Sequence, residues 1–179
     1  MSQIATTYAQ ALYDLAKEEN LTQSVLQQLT ALQQIFREEP GYLRLMTAAN
    51  LSKEERCRLL DEAFRDKAEP YVLNFMKILT EKGYMRYFSD CAKAYRDIYN
   101  EDHGILTVKA VTAVALSQDQ QMRLTQKLEK LTGKTIDLSC RVDPAVLGGV
   151  RLDYDGKRVD GTVQTRLDTV SKLLKNTVL

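Results

Sequence analysis

Along the first hundred residues apolar positions recur at steps of three and four, which places them on one side of an α-helix. Ile4, Tyr8, Ala11, Leu12 and Leu15 form the first stripe. Asn20 and Gln23 have the spacing of a capping box, in which two side chains satisfy unpaired backbone N–H groups. They predict the start of a second helix striped by Leu21, Val25, Leu29, Leu32 and Phe36. Pro40 suits a first helical turn, where its missing N–H leaves no bond unmade, and opens a short third helix. Ser52 and Glu55 make another capping box ahead of Leu59, Leu60, Ala63 and Phe64. Pro70 opens a fifth helix that runs to about Glu81, with Gly83 just past its end. A sixth spans Tyr84 to about Asn100, its aromatic stripe of Tyr84, Tyr87, Phe88, Tyr95 and Tyr99 reading as core. Six helices with short connections imply a compact antiparallel bundle.

Near residue 105 the period shortens to two, the mark of half-buried strands. Leu106, Val108, Ala110, Thr112 and Val114 line one face of a first strand; Ser117 and Gln120 then cap a helix bearing Leu124, Leu128 and Leu131. Ile136, Leu138, Cys140 and Val142 alternate with Asp137, Ser139 and Arg141 in a second strand. Asp143-Pro144 turns the chain into a third strand, Val146 to Tyr154, and Asp155-Gly156 is a hairpin signal before the return from Lys157 to Asp160. A last helix shows Val163, Leu167, Val170 and Leu174. All four Phe and eight of nine Tyr precede residue 105, while five of eight Gly follow it. The two halves thus differ in grammar, and a boundary is placed at His103-Gly104. The expected fold is α+β in two domains: an antiparallel six-helix bundle, 1–104, and a small α/β domain, 105–179, with a mixed sheet and two main helices.

Charge separates the halves as well, at −3 for residues 1–104 and +4 for 105–179. The whole chain, at +1, offers no general attraction to nucleic acid or an anionic membrane. No apolar run approaches the roughly 20 residues that span a bilayer. The opening residues show neither a signal sequence nor a basic presequence, so a cytoplasmic protein is expected, with any membrane link made through partners. Cys57, Cys91 and Cys140 are scattered, which argues against a disulfide framework or a zinc site; each falls on an apolar face and reads as a buried thiol.

Catalytic chemistry finds little to work with. His103 is the sole histidine and sits at a turn. Leu147-Gly148-Gly149-Val150 lacks the Gly-Lys-Ser/Thr of a phosphate loop, and glycines within a strand more often mark a bulge. Asp153, Asp155 and Asp160 lack the register of a calcium loop. No catalytic, cofactor or metal site is therefore expected.

Tyr8-Ala9-Gln10-Ala11-Leu12-Tyr13-Asp14-Leu15-Ala16 is similar to the opening helix of the delta subunits of F-type ATP synthases, relatives of the mitochondrial oligomycin-sensitivity-conferral protein. Val142-Asp143-Pro144-Ala145-Val146-Leu147-Gly148-Gly149-Val150-Arg151-Leu152, with Val159-Asp160-Gly161-Thr162-Val163 and Arg166-Leu167, resembles that family's C-terminal signature. The resemblance spans the chain. It departs at Thr162 and Gln164, where the family usually has Ser and Arg, and at Tyr84, where it usually has Arg. Thr caps a helix as Ser does, so the fold is unaffected.

What the resemblance implies is a non-catalytic adaptor of the peripheral stalk, a stator needed to couple proton transport to ATP synthesis at the cytoplasmic face of a bacterial inner membrane. The bundle would receive the N-terminal helix of an alpha subunit, with beta close by, in a groove between its first and fifth helices. The fifth helix has apolar residues to spare: Val72, Phe75, Met76 and Leu79, and also Tyr71 and Ile78. Tyr8, Leu12, Met76, Ile78 and Leu79 are expected to line or back this groove. The C-terminal domain would contact the b subunits, with Asp143, Gly148, Gly149, Asp160 and Gly161 as structural signature positions. Two other readings stay open on the residues alone: an adaptor outside the ATP synthase, and an enzyme using Asp143, Asp160 or His103.

Overall fold

A computed structural model describes residues 3–48, 51–146 and 148–161. The chain divides into two compact units, Met1–Tyr99 and Asn100–Leu179. The division falls on the last turn of a helix, ahead of the turn at Gly104, because the Asn100 amide already donates to the Thr107 hydroxyl of the first strand at 3.1 Å.

In the first unit the helices are α1 (Gln3–Glu18), α2 (Thr22–Glu38), α3 (Pro40–Thr47), α4 (Lys53–Phe64), α5 (Pro70–Glu81) and α6 (Phe88–Asp102), the last preceded by a 3₁₀ turn, Met85–Tyr87. Their ends follow local chemistry. Pro40 and Pro70 occupy the first turns of α3 and α5. Ser52 and Glu55 close the expected capping box on α4. Asn20 departs from expectation: it ends α1 instead of capping α2. It adopts φ 59°, its N–H bonds the Lys17 carbonyl, and the Leu21 N–H bonds the Ala16 carbonyl. That is a Schellman ending, in which a left-handed residue lets two late N–H groups satisfy the last carbonyls. Asn accepts this backbone better than any other non-glycine residue, so its turn preference outweighs its capping preference. Gly83 ends α5 in the same way, with φ 72° and bonds from Gly83 and Tyr84 to Thr80 and Leu79.

One core joins all six helices. Val25, Leu29, Leu32 and Phe36 of α2 are buried, as are Leu60 of α4, Val72, Phe75, Met76 and Leu79 of α5, and Phe88, Cys91 and Tyr95 of α6. Aromatic pairs brace it, Tyr13 with Tyr95 and Phe36 with Phe88, both edge to face; such pairs add about 0.5–1.5 kcal/mol beyond their buried area. The buried Tyr95 hydroxyl donates to the Thr22 carbonyl at 3.1 Å.

The second unit is built on a four-stranded mixed sheet in the order β2-β1-β3-β4, from β1 (Ile105–Thr112), β2 (Thr135–Val142), β3 (Val150–Tyr154) and β4 (Lys157–Asp160). β1 pairs parallel with β2 and antiparallel with β3, and β3 pairs antiparallel with β4. The parallel pair requires a crossover, supplied by α7 (Gln118–Thr132). Ser117 and Gln120 cap α7 as expected. With the sheet, the seven helices make an α+β protein among the described residues. Asp155 (φ 45°) and Gly156 (φ 70°) form the hairpin turn, both in the left-handed region that a two-residue hairpin loop favours.

Here the core is small: Leu106, Val108 and Ile136, with Leu128, Leu138, Leu152 and Tyr154 packed against them. Several positions expected inside lie outside. Val114 follows the end of β1 and is 72% exposed, and Leu131, at the end of α7, is 74% exposed. Cys140 and Val142 are exposed too. β2 is an edge strand, and its contact with the core ends at Leu138. Gly148 (φ 147°) and Gly149 (φ 87°) precede β3 and turn the chain into it, so they form no bulge within a strand. Leu147 and the helix expected at Val163, Leu167, Val170 and Leu174, with Thr162, Gln164 and Arg166, lie outside the described residues.

The three thiols therefore differ. Cys91 is buried, Cys57 half-buried and Cys140 exposed. Desolvation pushes the Cys91 thiol up to about 11. A raised value means that the folded state holds the neutral form. Its contribution is intact below the unfolded thiol's ordinary value, about 8.5, and is lost as pH climbs from there toward 11. Urea unfolding should thus give a stability that declines above about pH 8.5, and Cys91→Ala should remove part of that decline. Two glycines offer a contrast of sign. Gly83→Ala, at positive φ, should destabilise by about 1 kcal/mol. Gly41→Ala, in the first turn of α3 with open space around its Cα, should be neutral or stabilise by up to about 1 kcal/mol, both read from the denaturation midpoint.

Candidate functional site

α1 carries more apolar surface than a core-facing helix needs. Its buried residues are Ala5, Ala9, Leu12, Tyr13 and Ala16. Ile4 and Tyr8 are half-buried, Ala11 is exposed, and Leu15 is 38% exposed. At 100° per residue, Ile4, Tyr8, Ala11 and Leu15 form a second stripe roughly 110° round the helix from the first. The four-three-four spacing read from the sequence is therefore real, but it marks the outer face. The inner face is mostly alanine, and small side chains give it a weaker signal.

α5 divides in the same way. Val72, Leu73, Phe75, Met76, Leu79 and Thr80 are buried, while Tyr71 is half-buried and Ile78 is 36% exposed. Tyr71 and Ile78, seven residues apart, share the outer side. The two helices run side by side in opposite directions. The Glu19 carboxylate, just past α1, raises the Tyr71 hydroxyl above its ordinary value by charge and by accepting its hydrogen bond. At the other end, Tyr8 meets Tyr84, just past α5, ring edge to ring face at 5.9 Å.

Of the five expected groove residues, Tyr8 and Ile78 reach the surface. Leu12, Met76 and Leu79 are buried in the core and can only back a groove. Exposed Ala11 and Leu15 and half-buried Ile4 and Tyr71 stand beside Tyr8 and Ile78, outside the five expected groove residues. Their signal was present as a second apolar period, but periodicity does not say which of two stripes faces inward.

The C-terminal signature residues have structural work. The Asp143 carboxylate accepts the Ala145 N–H at 3.0 Å and its carbonyl accepts the Val146 N–H at 3.0 Å. This doubly bonded turn buries Val146. Gly161 donates its N–H to the Val150 carbonyl at 3.1 Å, and a Cβ there would lie 3.2 Å from that oxygen. Gly148, Gly149 and Asp160 complete the set around the start of β3 and the end of β4. Asp153 is held by Arg158, whose Nε donates at 2.8 Å; that bond lowers the carboxyl below its usual range, and nearby Arg158, Arg151 and Lys109 charges add to the effect. Asp155 is a turn residue. No group of three His, Cys, Asp or Glu among the described residues is placed to hold a metal ion. No described helix is long and apolar enough to cross a membrane.

Comparison with known proteins identifies the family. A family profile described as "ATP synthase delta (OSCP) subunit" matches residues 4–174. A protein named ATP synthase subunit delta from Lacticaseibacillus casei (strain BL23) is 34% identical over 172 residues, covering 96% of this chain and 94% of the relative. One of the same name from Alkaliphilus oremlandii (strain OhILAs) is 30% identical, covering 96% and 95%. Among solved structures, a chain of the Toxoplasma gondii mitochondrial ATP synthase hexamer shares the fold, with a TM-score of 0.77 and 19% identity over 97% of this chain and 98% of that one.

Proposed function

The chain belongs to the ATP synthase delta (OSCP) subunit family, whose members are non-catalytic peripheral-stalk components of F-type ATP synthase, and from that premise we propose how it fastens head to stalk. The N-terminal domain, taken as residues 1–104, acts as an antiparallel six-helix bundle that seats the N-terminal helix of an alpha subunit, near beta, between α1 and α5. The C-terminal domain, taken as residues 105–179, takes the far ends of the b subunits. The protein works at the cytoplasmic face of a bacterial plasma membrane and reaches the membrane only through these partners.

The observation that carries this reading is the outer stripe of α1. Ile4, Tyr8, Ala11 and Leu15, with Tyr71 and Ile78 on the neighbouring helix, are apolar surface left over after the core is filled. Small Ala11 at the middle of the stripe leaves room for another helix to approach. An amphipathic helix laid into such a groove buries its own i, i+3, i+4, i+7 face there. The mechanism is mechanical. The rotor turns against the head, and an adaptor that holds the head still must resist torque without chemistry. Two separate attachments serve this better than one, because release then requires both to open together.

Replacing Ala11 and Ile78 together by Asp should weaken binding of an alpha N-terminal peptide by at least about tenfold, on the order of 1.4 kcal/mol, with little change in thermal unfolding. Calorimetric titration checks this, and wild-type affinity in that variant would contradict the groove. Removing residues 105–179 should leave head binding in place and abolish proton-driven ATP synthesis in reconstituted vesicles. Full synthesis by the truncated protein would contradict the division of labour between the units.

A further inference from the structure

The two edges of the sheet in the second unit are unlike. β4 is four residues long and carries Lys157 and Arg158; short length and positive charge discourage another strand from pairing with it. β2 is eight residues long, with one acid, one base and no proline, and no described strand pairs with its outer side. Its sequence lacks the usual guards of an edge.

The Thr135 and Asp143 N–H groups donate inward, to the Gly104 and Thr112 carbonyls at 3.1 and 2.9 Å. Residues along a strand aim their backbone groups to alternate sides, so the odd-numbered residues between these two also bond β1. Ile136, Leu138, Cys140 and Val142 therefore aim N–H and C=O outward. The Ile136 N–H follows this direction, reaching the Glu129 carboxylate of α7 at 3.5 Å. Side chains sort in step. Asp137, Ser139 and Arg141 are exposed on the face away from α7, and neither charge has an ion pair among the described residues. On the α7 face, exposed Cys140 and Val142 prolong the apolar row of Ile136 and Leu138 past the point where the core stops.

An antiparallel neighbour must set outward-aimed residues against outward-aimed residues. If that neighbour is another β2, the two-fold axis has to pass between one residue and its own copy. Placed at Ser139, the axis sets Asp137 against Arg141 of the second copy, twice, with Leu138 against Cys140 and Ile136 against Val142. At Asp137 or Arg141 it would set like charges together. At Cys140 it would oppose Asp137 to Asp143, and at Leu138 it would leave both charges unmatched. A single register thus places apolar against apolar and acid against base along the whole strand, the pairings that stabilise neighbouring strands. We propose that β2 joins two copies of this chain edge to edge, antiparallel about Ser139, into one continuous sheet. The pairing also gives Cys140 and Val142 the apolar neighbours they lack in a single copy.

Sedimentation equilibrium of the full-length chain should show a reversible dimer. Asp137→Arg, which opposes two cations twice over, should weaken it by at least about tenfold. Adding Arg141→Asp to that variant exchanges the charges and should restore it. Cross-linking reads the register without relying on the strength of the dimer. Ser139→Cys in a Cys140→Ser background brings two thiols together in a non-hydrogen-bonded pair, with Cα atoms about 4.5 Å apart, within reach of a disulfide. Mild oxidation should give a covalent dimer. Thr135→Cys in the same background, whose counterpart is Asp143, should give none. A chain that stays monomeric at every concentration would overturn the second copy as occupant and leave this edge to a strand of another protein. A dimer that Ser139→Cys fails to cross-link would overturn the pairing as well.

Discussion

The architecture depends on what α1 places against the core. Ala5, Ala9 and Ala16 are fully buried and stand beside Leu12 and Tyr13, so the inner side of this helix is built largely from the smallest apolar residue. Small side chains let a helix sit deep among its neighbours while interior packing stays dense. They also leave Ile4 and Leu15 toward the surface, with Tyr8 only partly buried at the edge of the core. A larger residue at Ala5 or Ala9 would meet packed neighbours with nowhere to move, the overpacking that typically costs 1–3 kcal/mol. The spare apolar face is thus a direct consequence of how the inner face is filled.

The two units show different ways of leaving a surface unfinished. In the first, a generous core holds most of the aromatic residues, and what remains outside is apolar and continuous along two antiparallel helices. In the second, the core cluster is Leu106, Val108 and Ile136 with a few partly buried companions, and the sheet's other face carries Lys109, Asp153 and Arg158 in register beside buried Val111. Apolar surface supplies affinity with little orientation, whereas charges in register supply orientation and discrimination more than strength. A stator needs both properties, since it must stay attached and must not turn.

The contrast between Asn20 and Ser52 shows how local signals compete. Both precede a helix with a suitable partner three residues on. Ser52 caps α4 because an extended backbone leaves its hydroxyl facing the Glu55 N–H, at 3.2 Å. Asn20 is close enough to the end of α1 to finish that helix first, and its left-handed conformation is incompatible with the cap. The short connection brings the end of α1 within reach of Asn20, and Asn's tolerance of the left-handed backbone lets it make that ending.

Much was legible from sequence because it depends on neighbours in the chain. The seven described helices and four strands, the two capping boxes, the first-turn prolines, Gly83 and the Asp155-Gly156 hairpin follow from backbone sterics and hydrogen bonding within a few residues. The family was legible too, in the run from Val142 to Leu152. What sequence alone left undecided was which way each apolar stripe faces. Leu12, Met76 and Leu79 belong to the interior, while Ala11, Leu15 and Tyr71 belong to the surface. Cys140, expected inside, is exposed on an edge strand. The physical reason is that periodicity records only that a side chain is apolar. Its burial is fixed by which other helix or strand comes to lie against it, and that is settled only when distant parts of the chain pack together.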